Sequence, residues 1–166
     1  VGSEMCKETD RILIEHADEV IRGLKYFLKA SLANKGIIAI EDNKPRAIEL
    51  FNQLTADDPN ISVVVCPEKY PQGSERHLIY AVTGRVVPER ALPSAVGVIV
   101  DNVATAMQAA LAVKDDLPCY ERIVTVSGNA VHKPGNYRVR IGTLYSHLVE
   151  QGAQGLKNDP ARIISG

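Results

Sequence analysis

The sequence predicts an α/β domain with a mainly parallel sheet in three layers, followed by a small β-rich module. Three runs, Gly36–Ile40, Ile61–Val65 and Val96–Val100, are nearly all apolar and rich in Ile and Val. Each is followed by a stretch whose apolar residues recur at helical spacing. After Pro118 the pattern changes to alternating segments punctuated by Gly128-Asn129 and Pro134-Gly135. Apolar strands alternating with helices indicate parallel strands covered on both faces, and the later alternation indicates a sheet with one wet face.

The elements follow in order. Leu13, Ala17, Val20 or Ile21, Leu24 and Leu28 mark one helix from Arg11 to Leu32. Thr9 or Asp10 is suited to cap its start, and Asn34-Lys35-Gly36 to end it, with Gly36 free to take positive φ. Gly36–Ile40 is the first strand, closed by the polar turn Glu41-Asp42-Asn43-Lys44. Pro45 suits a first helical turn, and that helix runs to about Leu54. The second strand, Ile61–Val65, leads through Cys66-Pro67-Glu68-Lys69-Tyr70-Pro71-Gln72-Gly73-Ser74 into a helix from Glu75 to Thr83, closed by Gly84. Pro88 and Pro93 make Val86–Ser94 an irregular crossing. Val96–Val100 is the third strand, and Asp101-Asn102 precedes a helix from Ala104 to Val113.

Arg122–Ser127 and Tyr137–Ile141 read as two further strands, the second with Tyr137, Val139 and Ile141 on one face. Thr143 is placed to cap a short helix through Leu144, Leu148 and Val149, and Arg162–Ser165 to add a last strand. Strand, strand, helix, strand in so short a space suggests a β-grasp-like, ubiquitin-like module. The boundary falls near Leu117–Cys119, giving domains over 1–117 and 118–166. The first domain is Rossmann-like in this reading.

Composition narrows the function. The chain has 166 residues, 45% of them hydrophobic, and a net charge of −1. No basic block supports a nucleic-acid partner. No apolar run approaches the roughly 20 residues of a membrane span, and no signal-peptide pattern opens the sequence. Cys6, Cys66 and Cys119 lack the spacing of a zinc or iron–sulfur site, so no metal ligands are assigned. Cys66, ending an apolar strand, reads as a packed thiol. His16, His77, His132 and His147 share no ligand spacing, and no Ser-His-Asp or Cys-His grouping stands out, so no catalytic residue is assigned. Lys133, Arg138 and Arg140 form a docking face for an acidic partner or a solvated face.

The loop after the second strand is the most informative segment. In open α/β sheets, ligands settle at the carboxyl ends of strands, where helix N-termini offer free N–H groups. Lys69-Tyr70-Pro71-Gln72-Gly73-Ser74-Glu75 resembles a segment of the C subunit of Rnf-type electron-transport complexes. Glu41-Asp42-Asn43-Lys44-Pro45 and Gly97–Thr105 resemble two further segments of that family. Val126–Tyr137 is similar to the start of its soluble-ligand-binding β-grasp (SLBB) domain, and Leu156–Arg162 continues in the family's order. The wider superfamily includes the flavin- and NADH-binding subunit of respiratory complex I.

The resemblance implies FMN and NADH as cofactors, with flavin splitting a hydride's two electrons into single-electron transfers. It implies iron–sulfur clusters only in a C-terminal domain beyond this stretch. Other subunits of an electron-transport complex and ferredoxin-type proteins are the implied partners. The implied location is cytoplasmic, peripheral to the inner membrane through partner subunits. Asn102 and Thr105 match the pair whose amide and hydroxyl hold the flavin phosphate. Gly73 and Glu75 match a loop near flavin and nicotinamide, and Glu4 matches an acid beside the flavin ring. Asn102 and Thr105 equally suit a helix cap, and Glu75 and Glu4 equally suit solvated helix-start carboxylates.

Three departures accompany these matches. Asp101 stands where complex I relatives carry Asn, Ser74 replaces an acid, and Met5-Cys6-Lys7-Glu8 follows Glu4 where the family has Glu-Pro. The family's glycine-rich flavin loop and its lysine lie upstream of the stretch matched here, so the sequence reads as an excised piece. The leading function is part of an NADH- and FMN-linked electron-transfer subunit. The alternatives are an interaction scaffold with a degenerate flavin site, or a subunit of a soluble reductase system. The 166-residue chain alone is expected to bind FMN weakly or not at all and to be inactive. Tight binding in a submicromolar FMN titration of the purified chain would refute this.

Overall fold

The computed structural model describes residues 7–69 and 73–165. The residues from Thr9 to Pro118 form one compact unit, and those from Cys119 onward belong to a second.

The first unit begins with two helices, α1 (Lys7–Glu15) and α2 (Ala17–Ser31). The single helix expected over Arg11–Leu32 is thus broken at His16, whose φ of −131° and ψ of 30° leave helical geometry. His16 falls on the apolar stripe between Ile12 and Val20 but is itself polar. Ile12, Leu13, Ala17 and Val20 bury on either side of the bend. Thr9 and Asp10 lie inside α1 and cap nothing. Leu32, with φ 58°, ends α2 in the left-handed conformation, and its N–H bonds the Leu28 carbonyl. The glycine expected to do this, Gly36, opens β1 instead, where its missing side chain admits Leu24: a Cβ there would lie 3.0 Å from Cδ2.

β1 (Gly36–Glu41), α3 (Pro45–Thr55) and β2 (Ile61–Cys66) follow the expected order, with Pro45 in the first turn of α3. β1 and β2 pair in parallel, Gly36 opposite Ile61 through Glu41 opposite Cys66. Ile38 and Ile40 bury on one face of β1, while Ile37 is 38% exposed. Phe51 of α3 is fully buried. Lys25 of α2 reaches Asp58 in the loop before β2 at 2.9 Å. That hydrogen bond, with one from the Asn60 N–H, holds the Asp58 carboxyl below its ordinary 3.8.

Helix α4 (Glu75–Thr83) closes on Gly84 at φ 70°. The crossing that follows is held by two arginines. Arg76 donates to the Pro88 and Ala91 carbonyls, and Arg85 donates to the Val96 carbonyl at 2.8 Å. A 3-10 turn over Pro93–Val96 ends at Gly97, φ 69°. Val98–Val100 then runs without a strand partner among the described residues, so the third strand expected over Val96–Val100 is not formed. Apolar composition favours a strand, but a strand also needs a neighbour to take its N–H and C=O groups.

Helix α5 (Val103–Asp115) completes the unit, and its packing against α2 is the most extensive between any two elements. Gly23 of α2 makes this approach possible. A methyl group there would overlap the Ala106 carbonyl carbon and oxygen and lie 2.9 Å from its Cα.

In the second unit, β3 (Glu121–Val126) and β4 (Gly135–Arg140) pair antiparallel, Glu121 opposite Arg140. A short helix α6 (Tyr145–His147) runs into a π-turn over Leu148–Gly152. Thr143 does not cap it; its hydroxyl donates back to the Arg140 carbonyl at 2.7 Å. Val131 bridges Leu156, and Lys157 N–H donates to the Ala130 carbonyl. Arg162–Ser165 forms no strand, and Ile163 and Ile164 stand in solvent. The core here is small: Val131, Leu148 and Ala153.

Replacing a mid-helix glycine by alanine ordinarily stabilises by about 1 kcal/mol, but overpacking costs about 1–3 kcal/mol and here must displace backbone. Gly23→Ala is therefore expected to destabilise the fold by roughly 1–2 kcal/mol. Denaturant titration reads this, and an unchanged or raised midpoint would show that α2 and α5 do not meet as described.

Candidate functional site at the carboxyl ends of the strands

The carboxyl ends of β1 and β2 are tied together by one residue. Asp42 donates its N–H to the Cys66 carbonyl at 2.9 Å, and its Oδ1 accepts the Glu68 N–H at 3.1 Å. The turn after β1 thereby sets the start of the loop after β2. Lys44 anchors the same turn from the other side. Its Nζ lies 2.9 Å from Asp10 Oδ1 on α1, and 3.1 Å from both Glu41 Oε2 and Asn43 Oδ1. Burial alone would lower the Lys44 pKa. The hydrogen bonds and charges of Asp10 and Glu41 outweigh it and hold the ammonium above its ordinary 10.5. On sequence alone Glu41–Lys44 is a plain polar turn, although an acid-rich turn closed by lysine is a signal for an ion-pair anchor.

Asn102 is the N-cap of α5. Its Oδ1 accepts the Ala104 N–H at 2.8 Å, and its carbonyl accepts from Thr105 and Ala106. The Asn102 Nδ2, the Val103 N–H and the Thr105 hydroxyl have no hydrogen-bond partner among the described residues. Three donors at a helix N-terminus, on the positive end of the dipole, form a fit for a phosphate. Asp101, exposed beside them, puts a negative charge where a phosphate would sit nearby.

A groove of about 760 Å³ opens beside this helix end. It is lined by α2, by β1, by Leu78, Ile79 and Val82 of α4, and by Gly97–Val103. Asn102 lines it, whereas Thr105, Gly73 and Glu75 do not. Glu75 is the exposed first residue of α4, beside Ser74, whose hydroxyl meets His77 Nδ1 at 3.1 Å. A Cβ at Gly73 would touch nothing within 4 Å among the described residues. Glu4 lies outside the described residues, as do Tyr70, Pro71 and Gln72. The structure thus brings Asn102 and Thr105 onto one helix turn and leaves Gly73 and Glu75 apart from the groove. Cys66 is buried at the end of β2. Among the described residues no three His, Cys, Asp or Glu side chains gather to hold a metal ion. No described helix is long and apolar enough to cross a membrane.

Comparison with known proteins places the chain in a family. The family model described as the Nuo51 FMN-binding domain matches residues 2–111, and that of the SLBB domain matches residues 123–162. The C subunit of the proton-translocating ferredoxin:NAD(+) oxidoreductase complex of Clostridium ljungdahlii is 40% identical over 156 residues, covering 94% of this chain and 34% of that protein. The C subunit of the Na(+)-translocating ferredoxin:NAD(+) oxidoreductase complex of Acetobacterium woodii is 39% identical, covering 93% of this chain and 35% of that protein. The C subunit of an ion-translocating oxidoreductase complex of Haemophilus influenzae is 41% identical, covering 91% and 23%. The chain spans about a third or less of the length of these curated relatives.

Because the folded Lys44 pKa lies above the unfolded one, its stabilisation is fully present below pH 10.5 and is lost as the pH rises through the folded value. Lys44→Met is expected to melt below the parent near neutral pH and to converge with it as the pH climbs past 10.5. Thermal melts of both chains across that range check this, and a gap that stays constant would rule out the titration of Lys44 as its source.

Proposed function

The chain belongs to the family of Nuo51 FMN-binding domains, and from that premise we propose that it is part of an NADH- and FMN-linked electron-transfer subunit of an Rnf-type complex. The observation that carries the reading is the N-terminus of α5. It presents Asn102 Nδ2, Val103 N–H and the Thr105 hydroxyl, without partners among the described residues, at the end of a groove. The similarity to the C subunits of ferredoxin:NAD(+) oxidoreductase complexes supports the same function.

In this reading a bound flavin would supply the exchange between the two-electron chemistry of NADH and one-electron carriers. The residues here bind and orient. Asn102 has two separable tasks: its Oδ1 caps α5, and its Nδ2 donates to the phosphate. Thr105, one turn into the helix, adds its hydroxyl. Asp42 fixes the loop after β2 through Glu68, so that Gly73 and Glu75 start from a defined crest when they meet flavin and nicotinamide. Asp101 opposes the phosphate, so its carboxylate turns to solvent in the bound state.

The finer fold in this proposal is a Rossmann-like, three-layer domain over 1–117 and a β-grasp, ubiquitin-like module over 118–166. The second module, with Arg138 and Arg140 exposed on one side of β4, docks against acidic surfaces of neighbouring subunits. Ferredoxin-type proteins and iron–sulfur clusters of the whole subunit receive the electrons. The assembly sits at the cytoplasmic face of the membrane, held there by partner subunits.

Aspartate caps a helix as well as asparagine does, but it carries no amide donor and adds a charge. Asn102→Asp in the full-length protein is expected to leave stability within about 0.5 kcal/mol and to weaken FMN binding by about tenfold or more. Flavin fluorescence titration reads the affinity, and thermal melting reads the cap. Unchanged affinity with unchanged stability would reduce Asn102 to a cap and remove it from the flavin site.

A further inference from the structure

One ammonium joins three segments at the carboxyl ends of β1 and β2. The Lys44 side chain is 11% exposed, and its Nζ meets Asp10 of α1 together with Glu41 and Asn43. Glu41 and Asn43 flank Asp42 in the chain, and the Lys44 N–H donates to the Glu41 carbonyl at 3.1 Å. The residues on both sides of Asp42 are therefore fixed by the same cation. Asp42 in turn reaches the next loop twice, through its N–H to Cys66 and through Oδ1 to the Glu68 N–H. The links run from α1 through Lys44 to the turn after β1, and from there through Asp42 to the loop after β2. Asp10 and Glu41 both face the ammonium, so without it two carboxylates would repel each other across a short gap. The turn would then open at the point where it holds Asp42.

This crest is a separate part of the molecule from the groove beside α5. No residue of the turn 41–44 lines the groove, and neither do Asp10 and Glu68, whereas Asn102 does. We propose that Lys44 is a positioning residue for the nicotinamide nucleotide. It sets the loop after β2 in the conformation that receives this ligand, and it has no part in holding the flavin phosphate. The inference rests on the reading above, in which Gly73 and Glu75 serve the nucleotide and Asn102 and Thr105 the phosphate. Lys44 touches neither ligand and acts through Asp42 alone. Small displacements of a binding loop cost much of its affinity, and a residue that fixes such a loop earns its effect through geometry. A phosphate bound by charge-assisted hydrogen bonds at another helix end does not depend on that loop. Loss of Lys44 therefore separates the two affinities, which a general loss of stability would not do.

Three measurements on the full-length protein test this. Calorimetry reads the NAD(+) affinity of the flavin-loaded form, fluorescence reads the FMN affinity of the flavin-free form, and amide hydrogen exchange at Glu68 reads the link itself. In Lys44→Met the NAD(+) dissociation constant is expected to rise about tenfold, with FMN affinity within about threefold of the parent. The Glu68 amide is expected to exchange about tenfold faster. Asp42→Ala cuts the same chain one step later and should weaken NAD(+) alike, and the double variant should lose no more than either single one. Lys25→Met removes the pair with Asp58 at the opposite end of the strands and should leave NAD(+) affinity as it is. Equal loss of NAD(+) and FMN affinity in Lys44→Met would make the residue merely structural and overturn the inference. Unchanged NAD(+) affinity would overturn it too, as would a Glu68 amide that exchanges at the parent's rate or additive losses in the double variant. With a parent that binds both ligands, those outcomes leave the proposed function standing. A parent that binds no NAD(+) refutes the proposed function, and this inference falls with it.

Discussion

The contact between Gly23 and Ala106 is the constraint on which the first unit depends. Two helices that pack through ordinary side chains stand about 8–10 Å apart. Here the backbone of α5 lies against a glycine, with no room for even a methyl group. This close approach brings the first turn of α5 beside the helix that leads into β1. The N-terminus of α5 therefore opens at the edge of the groove and not away from it. Glycine in mid-helix carries a propensity penalty of about 1 kcal/mol, which the packing of α2 on α5 has to offset.

A second tie operates at the other side of the same crest. Asp42 joins the turn after β1 to the loop after β2, and Lys44 joins that turn to α1 through Asp10. The Lys44 ammonium is largely covered, yet it has three oxygen partners within 3.1 Å, so its burial is compensated. Removing one partner would leave a largely covered charge under-satisfied. The turn thus supports the start of the loop that follows β2, while exposed Glu75, the first residue of α4, remains available to a ligand.

Much of this is legible in the sequence where local chemistry decides the outcome. β1, β2, α3 and α4 follow from apolar runs, Pro45 and Gly84. The Asn102 cap follows from an amide residue placed before an apolar helix. What is not legible depends on neighbours. Val96–Val100 and Arg162–Ser165 have strand composition, but pairing is a property of two segments and not of one. The left-handed end of α2 at Leu32, where glycine or asparagine is usual, has no composition signal. The close approach at Gly23 is signalled only by an isolated glycine within a helical pattern, which sequence alone reads as a weak point. Gly73, Glu75 and Thr105 enter by resemblance, and only Asn102 of the five candidates lines the groove among the described residues.

The loop Asp101-Asn102 concentrates opposite tendencies in two adjacent residues. Asn102 commits its oxygen to the helix and keeps its amide group for an acceptor, while Asp101 offers only acceptors and a negative charge. Both stand at the positive end of the α5 dipole, which stabilises Asp101 as well as any bound anion. An empty α5 N-terminus is therefore partly neutralised by Asp101, and a phosphate arriving there competes with it. Asp101 and Asn102 are both exposed, so water softens that competition, and of the residues at this helix end Val103 is the more covered donor.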